Sequence, residues 1–234
     1  MKKVISSLLC LLFALTILFP VGALVSSCFG YIFQLTSILS VSVIIAIISV
    51  FTVIFSIISK DKISNKCIML LLYTLTPLSF INAVIYIFES GQILVAACVL
   101  VSFVCMSLLM IRSVKGKAGK IAASVLCALM TAFILYFSFI MLTFGIIGKN
   151  TVVRTVDSPD GSFYAQVIDS DQGALGGATV VKVYEKREID AFIFKLEDKP
   201  QRVYVGKWTE ADNIKIHWKD ENFLVVNSVE YEIK

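Results

Sequence analysis

The fold is decided by residues 4–59, VISSLLCLLFALTILFPVGALVSSCFGYIFQLTSILSVSVIIAIISVFTVIFSIIS, a run of 56 residues without a charged side chain. An α-helix rises about 1.5 Å per residue, so about 20 residues cross a hydrocarbon core of about 30 Å. The run is therefore long enough for two membrane-spanning helices. We expect the chain to turn between Pro20 and Thr36, where residues 20–22 (PVG) weaken a helix and residues 26–30 (SSCFG) favour a turn.

Three further uncharged runs follow, over residues 67–88, 90–111 and 121–148. Each is also long enough to cross a bilayer. The composition agrees, because 58% of the residues are hydrophobic and 16% are charged, against about 25% charged in an average soluble protein. The sequence therefore predicts a multipass helical domain over residues 1–148, with spans near residues 4–25, 36–59, 67–88, 93–111 and 121–147, and a separate domain over residues 149–234.

The connections between the spans predict the orientation. Positive charges beside apolar segments stay in the cytoplasm. Nine Lys or Arg residues lie before the first span and in the second and fourth connections. The other two connections, residues 26–35 and 89–92, contain one acid and no basic residue. We therefore expect a cytoplasmic amino terminus and an extracytoplasmic domain over residues 149–234.

The net charge differs in sign between the two parts of the chain. Residues 1–149 contain ten Lys/Arg and two Asp/Glu, whereas residues 150–234 contain eleven and fifteen. This is the charge pattern of membrane topology, and it leaves no basic stripe that predicts nucleic-acid binding. Because the exported domain is acidic, we expect its partner to be a membrane or cell-envelope protein rather than an anionic lipid surface. The spans themselves have the lipid bilayer as their partner.

The six cysteines all lie in or beside the spans, and residues 149–234 have none. A disulfide-free exported domain is typical of bacteria rather than of small secreted eukaryotic proteins. Lys outnumbers Arg by 17 to 4, which indicates an AT-rich bacterial genome. We therefore expect a bacterial plasma membrane as the location.

The first span has a competing interpretation. Residues 25–28 (VSSC) resemble a lipoprotein cleavage site, at which Cys28 would be lipidated after removal of the preceding residues. The apolar region is longer than the usual 7–15 residues, and another apolar helix follows Cys28. We therefore favour a retained span, with Cys28 as the alternative lipidation site. The later topology is the same in both cases.

No ionisable residue falls inside any predicted span, which argues against proton relays, voltage sensing and ion coupling. A channel lined by hydroxyls is still compatible with the sequence. Asn82, Tyr86 and Glu89 share one face of the third span. We favour an interhelical hydrogen bond from Asn82 over a substrate site on this face. The small residues Ala128 and Ala132 favour close helix packing.

From Thr151 onward, apolar and polar residues alternate, which predicts β-strands. Residues 158–161 (SPDG) form a strong turn signal between the first two strands. The expected fold is an antiparallel meander or small sandwich. We expect strands near residues 151–156, 162–169, 178–185, 191–196, 201–206, 213–218, 222–227 and 229–233. The candidate core residues are aromatic: Phe163, Tyr164, Phe192, Phe194, Tyr204, Trp208, Trp218 and Phe223.

The motifs of this region carry a resemblance. The SPDG turn followed by Phe163 and Tyr164 resembles a hairpin of bacterial propeller blades, although a propeller needs at least four blades and is excluded by length. Together with GGAT at 176–179 and Trp218 before 225–227 (VVN), it is similar to small extracytoplasmic domains of uncharacterised Firmicutes membrane proteins and lipoproteins. The resemblance covers about residues 155–233. It implies a bacterial surface module and no particular activity or site.

Chemical motifs are scarce. Asp169 and Asp171 are candidate calcium ligands, but the stretch fails the EF-hand pattern because Gly173 occupies a ligand position and no Glu ends it. We favour a long hairpin loop there. His217 is the only histidine and has no nucleophile motif beside it. The sequence therefore predicts no catalytic residues, no metal site of His and Cys, and no cofactor.

The functional hypothesis is a non-enzymatic integral membrane protein whose extracytoplasmic β domain binds or senses a ligand or partner. The alternative is an accessory subunit of a transporter or channel, in which the helical bundle is the working part.

Overall fold

The computed structural model describes residues 2–59, 66–144, 149–171, 176–186 and 188–233. The chain forms two compact units. We call them the helical unit, which comprises Met1–Leu24 and Leu35–Gly145, and the β unit, which comprises Val25–Gln34 and Ile146–Lys234. The division does not follow the boundary predicted at residues 148 and 149, because a short segment before the second helix is grouped with the β unit.

Five long helices account for the apolar runs of the sequence. All five are long enough and apolar enough to cross a membrane, as predicted. Helix α4 packs against α2, α3 and α5. The helices are α1 (Lys2–Cys28), α2 (Ile38–Ile58), α3 (Lys66–Ser90), α4 (Ile93–Ser113) and α5 (Lys117–Phe144).

Helix α1 continues through Pro20 instead of weakening there. Proline has no N–H, so the carbonyl of the residue four positions earlier, Thr16, loses its usual helical donor. Asn82 Nδ2 of α3 donates to that carbonyl at 2.6 Å. A neighbouring helix thus replaces the missing hydrogen bond, which is how proline is tolerated inside apolar helices. The turn comes later, where Phe29 N bonds to Ser26 O at 3.0 Å and Gly30 adopts a φ of 83°.

In the described residues the β unit contains three sheets, with strand orders β2-β3-β4-β7, β10-β9-β8 and β1-β6-β5. The first two are antiparallel throughout, and β5 pairs antiparallel with β6. The expected antiparallel all-β region is therefore present. The sequence missed β1 and β5, and it placed β6 three residues too early. The strands are β1 (Tyr31–Leu35), β2 (Lys149–Asp157), β3 (Phe163–Asp171), β4 (Gly177–Glu185), β5 (Glu188–Asp190), β6 (Phe194–Asp198), β7 (Gln201–Lys207), β8 (Ile216–Trp218), β9 (Phe223–Val226) and β10 (Val229–Glu232).

The core of the β unit is mainly aliphatic. Its buried members come from one face of β3 and β4, from β8 and β9, and from the flanking loops. They are Ala165, Val167, Val181, Val183, Ala211, Ile214, Ile216, Leu224, Val226 and Ile233. Trp218 Nε1 of β8 donates to the Val156 carbonyl of β2 at 3.1 Å and so joins the two sheets to which these strands belong.

The aromatic core prediction is only partly correct. Phe163, Tyr204 and Trp218 pack against the core. Tyr164 instead stacks on Tyr184, with ring centroids 5.0 Å apart. Successive strand residues point to opposite faces, so Tyr164 cannot share the core face of its neighbours Phe163 and Ala165.

Four further aromatic positions lie outside the aliphatic core. Phe194 stacks on Phe33 of β1 at 5.0 Å. Trp208 is 44% exposed, and Phe192 is wrong as a core residue because it is 98% exposed at a hairpin tip. Phe223 is only partly buried. Aromatic character alone therefore did not identify the buried positions, since the turn that lifts Phe192 into solvent leaves no sequence signal beyond the strand pattern.

The unpredicted strand β1 is held by three sets of contacts within the β unit. Phe33 stacks on Phe194, Gln34 Nε2 donates to Glu197 Oε2 at 3.3 Å, and Lys199 N donates to Gly30 O at 3.0 Å. Residues 26–35, expected to be a plain connection, thus supply an outer strand of a sheet whose other strands lie more than 150 residues later in the chain.

Candidate functional site

The β unit contains a cavity of about 160 Å³ that is assembled from distant segments. Gly30 comes from the turn before β1, Glu185 from the end of β4, and Asp198, Lys199 and Gln201 from the junction of β6 and β7. Phe163, Val183 and Ile233 add apolar contacts. The volume is similar to that of cavities of about 150 Å³ that hold benzene-sized molecules.

The polar lining of the cavity is partly fixed by hydrogen bonds. Lys199 N donates to Gly30 O, and Gln201 Nε2 donates to Glu232 O at 3.2 Å. Asp198 Oδ2 is buried and has no hydrogen-bond partner among the described residues. Burying a carboxylate oxygen without a hydrogen-bond donor costs free energy. A bound ligand that donates a hydrogen bond to this oxygen offsets that cost. The lining is therefore suited to a small ligand whose ammonium group donates a hydrogen bond to Asp198 Oδ2.

The sequence did not single out any lining residue as a site residue. The polar members are ordinary charged or amide residues at strand ends. Gln201 is brought beside Val183 by the pairing of β4 with β7, and Gly30 joins them through the pairing of β1 with β6. No local spacing encodes that pairing. The one signal present in the sequence was the cluster of charge and proline at residues 197–200 (EDKP), which is typical of an exposed turn.

The predicted polar face of α3 is divided by the structure. Asn82 and Tyr86 are buried, whereas Glu89 is exposed. Asn82 makes the interhelical hydrogen bond to Thr16 O, and the Tyr86 ring meets Phe19 edge-on at 5.7 Å. Asn82 Oδ1 and Tyr86 Oη have no hydrogen-bond partner among the described residues. The pair therefore joins α1 to α3, in keeping with the packing interpretation.

Several hydroxyl groups inside the helices bond to their own helix. Thr52, Thr76 and Ser102 each donate to the carbonyl four residues earlier, at 2.7, 3.1 and 2.9 Å. Such side chains satisfy themselves locally. Ser49 Oγ of α2 and Ser107 Oγ of α4 differ, since both are buried and have no hydrogen-bond partner among the described residues.

The candidate calcium ligands lie in a strand. Asp169 and Asp171 belong to β3, paired with Thr179 and Gly177 of β4. Residues 172–175, the centre of the expected loop, lie outside the described residues. In the part of the chain that is described, no group of three or more His, Cys, Asp or Glu side chains is placed to hold a metal ion.

The remaining sequence candidates are separate from the cavity. Cys28 is the last residue of α1 and is exposed. His217 is exposed in β8. Comparison of the chain with protein-family models, with curated proteins and with solved structures finds no match. The cavity is therefore the best candidate site that the described residues offer.

Proposed function

We propose that the chain is an integral protein of a bacterial plasma membrane that holds the β unit on the extracytoplasmic side and uses its cavity to sense a small ligand bearing an ammonium group. The observation that carries the proposal is strand β1. It lies in the chain between two helices of membrane-spanning length, yet it belongs to a sheet of the β unit. Binding in the β unit is thereby covalently connected to α1 and α2, as well as to α5.

The pairing of β1 with β6 also supports the proposed topology. Paired strands must lie on the same side of a membrane, and four helices, α2 to α5, separate β1 from β6 in the chain. An even number of crossings returns the chain to its starting side. The basic residues of the second and fourth connections then favour the extracytoplasmic side for both strands.

The cavity gives the proposed sensor a physical route. Gly30, which lines the cavity, is two residues beyond the end of α1 and accepts a hydrogen bond from Lys199 N. A ligand shifts a conformational equilibrium only as far as it binds one state better than the other. A ligand that bridges Asp198 and Glu185 would favour the state in which the junction of β6 and β7 stays paired with the turn before β1.

The proposal is tested with the full chain in lipid nanodiscs. Both tryptophans lie in the β unit, so their fluorescence follows its thermal unfolding alone. Ethanolamine and glycine, which carry an ammonium group, are expected to raise the unfolding temperature by mass action, whereas acetate is not. Asp198→Asn is expected to remove the shift, and the matched control Asp212→Asn, at an exposed position, is expected to retain it. Equal shifts in the two variants, or none with any probe, would contradict ligand binding in the cavity.

The alternative, in which the helical unit is the working part of a transporter or channel, has less support. The hydroxyls of Thr52, Thr76 and Ser102 are occupied by their own helices. The unpartnered Oγ atoms of Ser49 and Ser107 are single groups in α2 and α4. Removal of residues 149–234 separates the two hypotheses. If the cellular phenotype of a deletion strain is fully restored by residues 1–148, the β unit is not the sensor.

A further inference from the structure

The hairpin that joins β5 to β6 carries an apolar tip formed by Ala191, Phe192 and Ile193. Phe192 is 98% exposed, Ile193 is 39% exposed, and Ile189 just before the tip is 52% exposed. Single exposed apolar residues are common, but a contiguous cluster around a fully exposed aromatic ring indicates an interaction surface. This apolar tip is unlike the charged turns elsewhere in the β unit, such as residues 219–221 (KDE).

The exposure of the apolar tip is built into the hairpin. Ala191 N donates to Phe194 O at 2.9 Å and closes the turn. Asp190 and Lys195 face each other in the register and form an ion pair at 3.3 Å. Phe194, directly after the tip, is anchored by its stack on Phe33. Phe192 is therefore presented outward by a paired and anchored frame.

The short connection between β1 and α2 indicates which apolar environment this tip contacts. Phe33, the anchor of the hairpin, belongs to β1, and only Thr36 and Ser37 separate β1 from α2. A residue spans at most about 3.6 Å, so this tether is short. A surface reached through a short tether is present at high effective concentration. For the β unit, that surface is the bilayer crossed by its own helices.

The chemistry of the tip fits a lipid interface. Phenylalanine, like Trp and Leu, is a typical residue of the apolar surfaces that enter the boundary between headgroups and acyl chains. The charges that flank the tip, Asp190 and Lys195, cancel as a pair. The next acids of the hairpin, Glu188 and Glu197, pair two residues further from the tip, so the negative charge is set back from Phe192 and Ile193. On this basis the sequence-derived preference for a protein partner does not apply to the hairpin.

We propose that the apolar tip of the β5–β6 hairpin inserts Phe192 and Ile193 into the interfacial region of the bilayer in which α1–α5 are embedded. This inference rests on the proposed membrane location. It does not depend on the cavity or on its ligand.

Quenching by brominated lipid tests the insertion. Phe192→Trp is made in the full chain and reconstituted in nanodiscs with and without lipids brominated on the acyl chains. Because Phe192 is almost fully exposed, the substitution leaves the packing of the β unit unchanged. The fluorescence added to that of Trp208 and Trp218 is expected to be strongly quenched by the brominated lipid. Val229→Trp, at a 54% exposed position in β10, is the matched control and is expected to add fluorescence that is not quenched.

The outcomes are separable from the proposed function. Nanodiscs leave both membrane faces open, so the result does not depend on which side the β unit occupies. Equal quenching of the fluorescence added at positions 192 and 229 would overturn the insertion, while ligand-induced shifts would be unaffected. Failure of the ammonium probes to bind would leave the quenching at position 192 intact.

Discussion

The carboxylate of Asp160 closes the turn between β2 and β3. It accepts hydrogen bonds from the hydroxyls of Ser158 and Ser162 and from Ser162 N, the last at 3.2 Å. These donors favour the charged form, and they lower the pKa of Asp160 to about 2. Gly161 follows with a φ of 74°, a conformation that favours glycine. The turn predicted from SPDG is thus confirmed, with each residue in a definite role.

Asp160 should make the stability of the β unit depend on pH. The pKa of Asp160 is lower in the folded chain than the ordinary value of about 3.9 in an unfolded chain, so its contribution is complete above pH 4 and is lost as pH falls towards 2. Asp160→Asn is expected to lower the tryptophan-monitored unfolding temperature at pH 7, and the gap to the wild type should close near pH 2. Asp212→Asn serves as the control. A gap that is constant from pH 7 to pH 2 would contradict the role of the charge.

Gly177 is required by close packing where β4 begins. A Cβ atom at this position would lie 2.6 Å from the Ser170 carbonyl and 2.5 Å from Cδ1 of Trp208. We expect Gly177→Ala to reduce the free energy of unfolding of the β unit by about 1–3 kcal/mol. Adding Trp208→Ala should restore only part of the loss, because the backbone carbonyl remains, and Trp218 then reports unfolding. Full restoration would mean that the contact with the Trp208 indole alone causes the loss of stability.

Helix α1 and helix α3 are coupled through a backbone group of α1 as well as through the Phe19–Tyr86 ring contact. Asn82 Nδ2 donates to the Thr16 carbonyl, which Pro20 leaves without its helical donor. The contribution of Asn82 to stability should therefore depend on the proline at position 20. In a chain with an N–H at position 20, the ordinary helical bond forms and the amide of Asn82 competes for the same acceptor.

A double-mutant cycle measures this coupling. Asn82→Ala is expected to cost about 1 kcal/mol in the wild type, a magnitude typical of polar contacts between membrane helices. In a Pro20→Ala background, the same substitution should cost close to zero. Unfolding of the purified chain in mixed detergent micelles gives the four free energies. An equal cost in both backgrounds would show that Asn82 does not compensate for the proline.

Strand β1 should stabilise the β unit although it lies far in sequence from the other strands of that unit. Phe33 is 8% exposed and stacks on Phe194, whereas Phe29, four residues earlier, is 75% exposed. Phe33→Ala is expected to reduce the stability of the β unit by about 3 kcal/mol, as for other buried phenylalanines. Phe29→Ala is the matched control and should have little effect. Tryptophan fluorescence distinguishes them, and equal effects would mean that β1 contributes nothing through its aromatic stack.

At the scale of the whole molecule, the orientation can be measured by thiol labelling. In a chain without its native cysteines, Val229→Cys in β10 is expected to react with a membrane-impermeant maleimide added to intact cells. Lys117→Cys, at the start of α5 beside the fourth connection, should react only after the cells are opened. The reverse pattern would invert the proposed topology, and reaction of both in intact cells would exclude an intervening crossing.

The sequence predicted the elements better than their assembly. The five helices follow from uncharged runs, and most strands follow from alternation around turns such as Ser158–Gly161. Strand β1 was missed because YIFQL at 31–35 lies in the same uncharged run as the spans beside it, and its partner β6 lies about 160 residues later. The cavity was missed for the same reason, since Gly30 and Asp198 meet only through that pairing. Phe192 was misplaced because residue type does not reveal which face a turn exposes.

The separation between β1 and β6 also sets an order of events during synthesis. Residues 31–35 leave the ribosome long before residues 194–198, and at about 5–20 residues per second the delay over about 160 residues is roughly 8–30 seconds. Throughout that interval β1 waits between α1 and α2 without its partner strand. The first segment of the β unit to be made is thus among the last to be paired, so the unit is completed only when nearly the whole chain has been made.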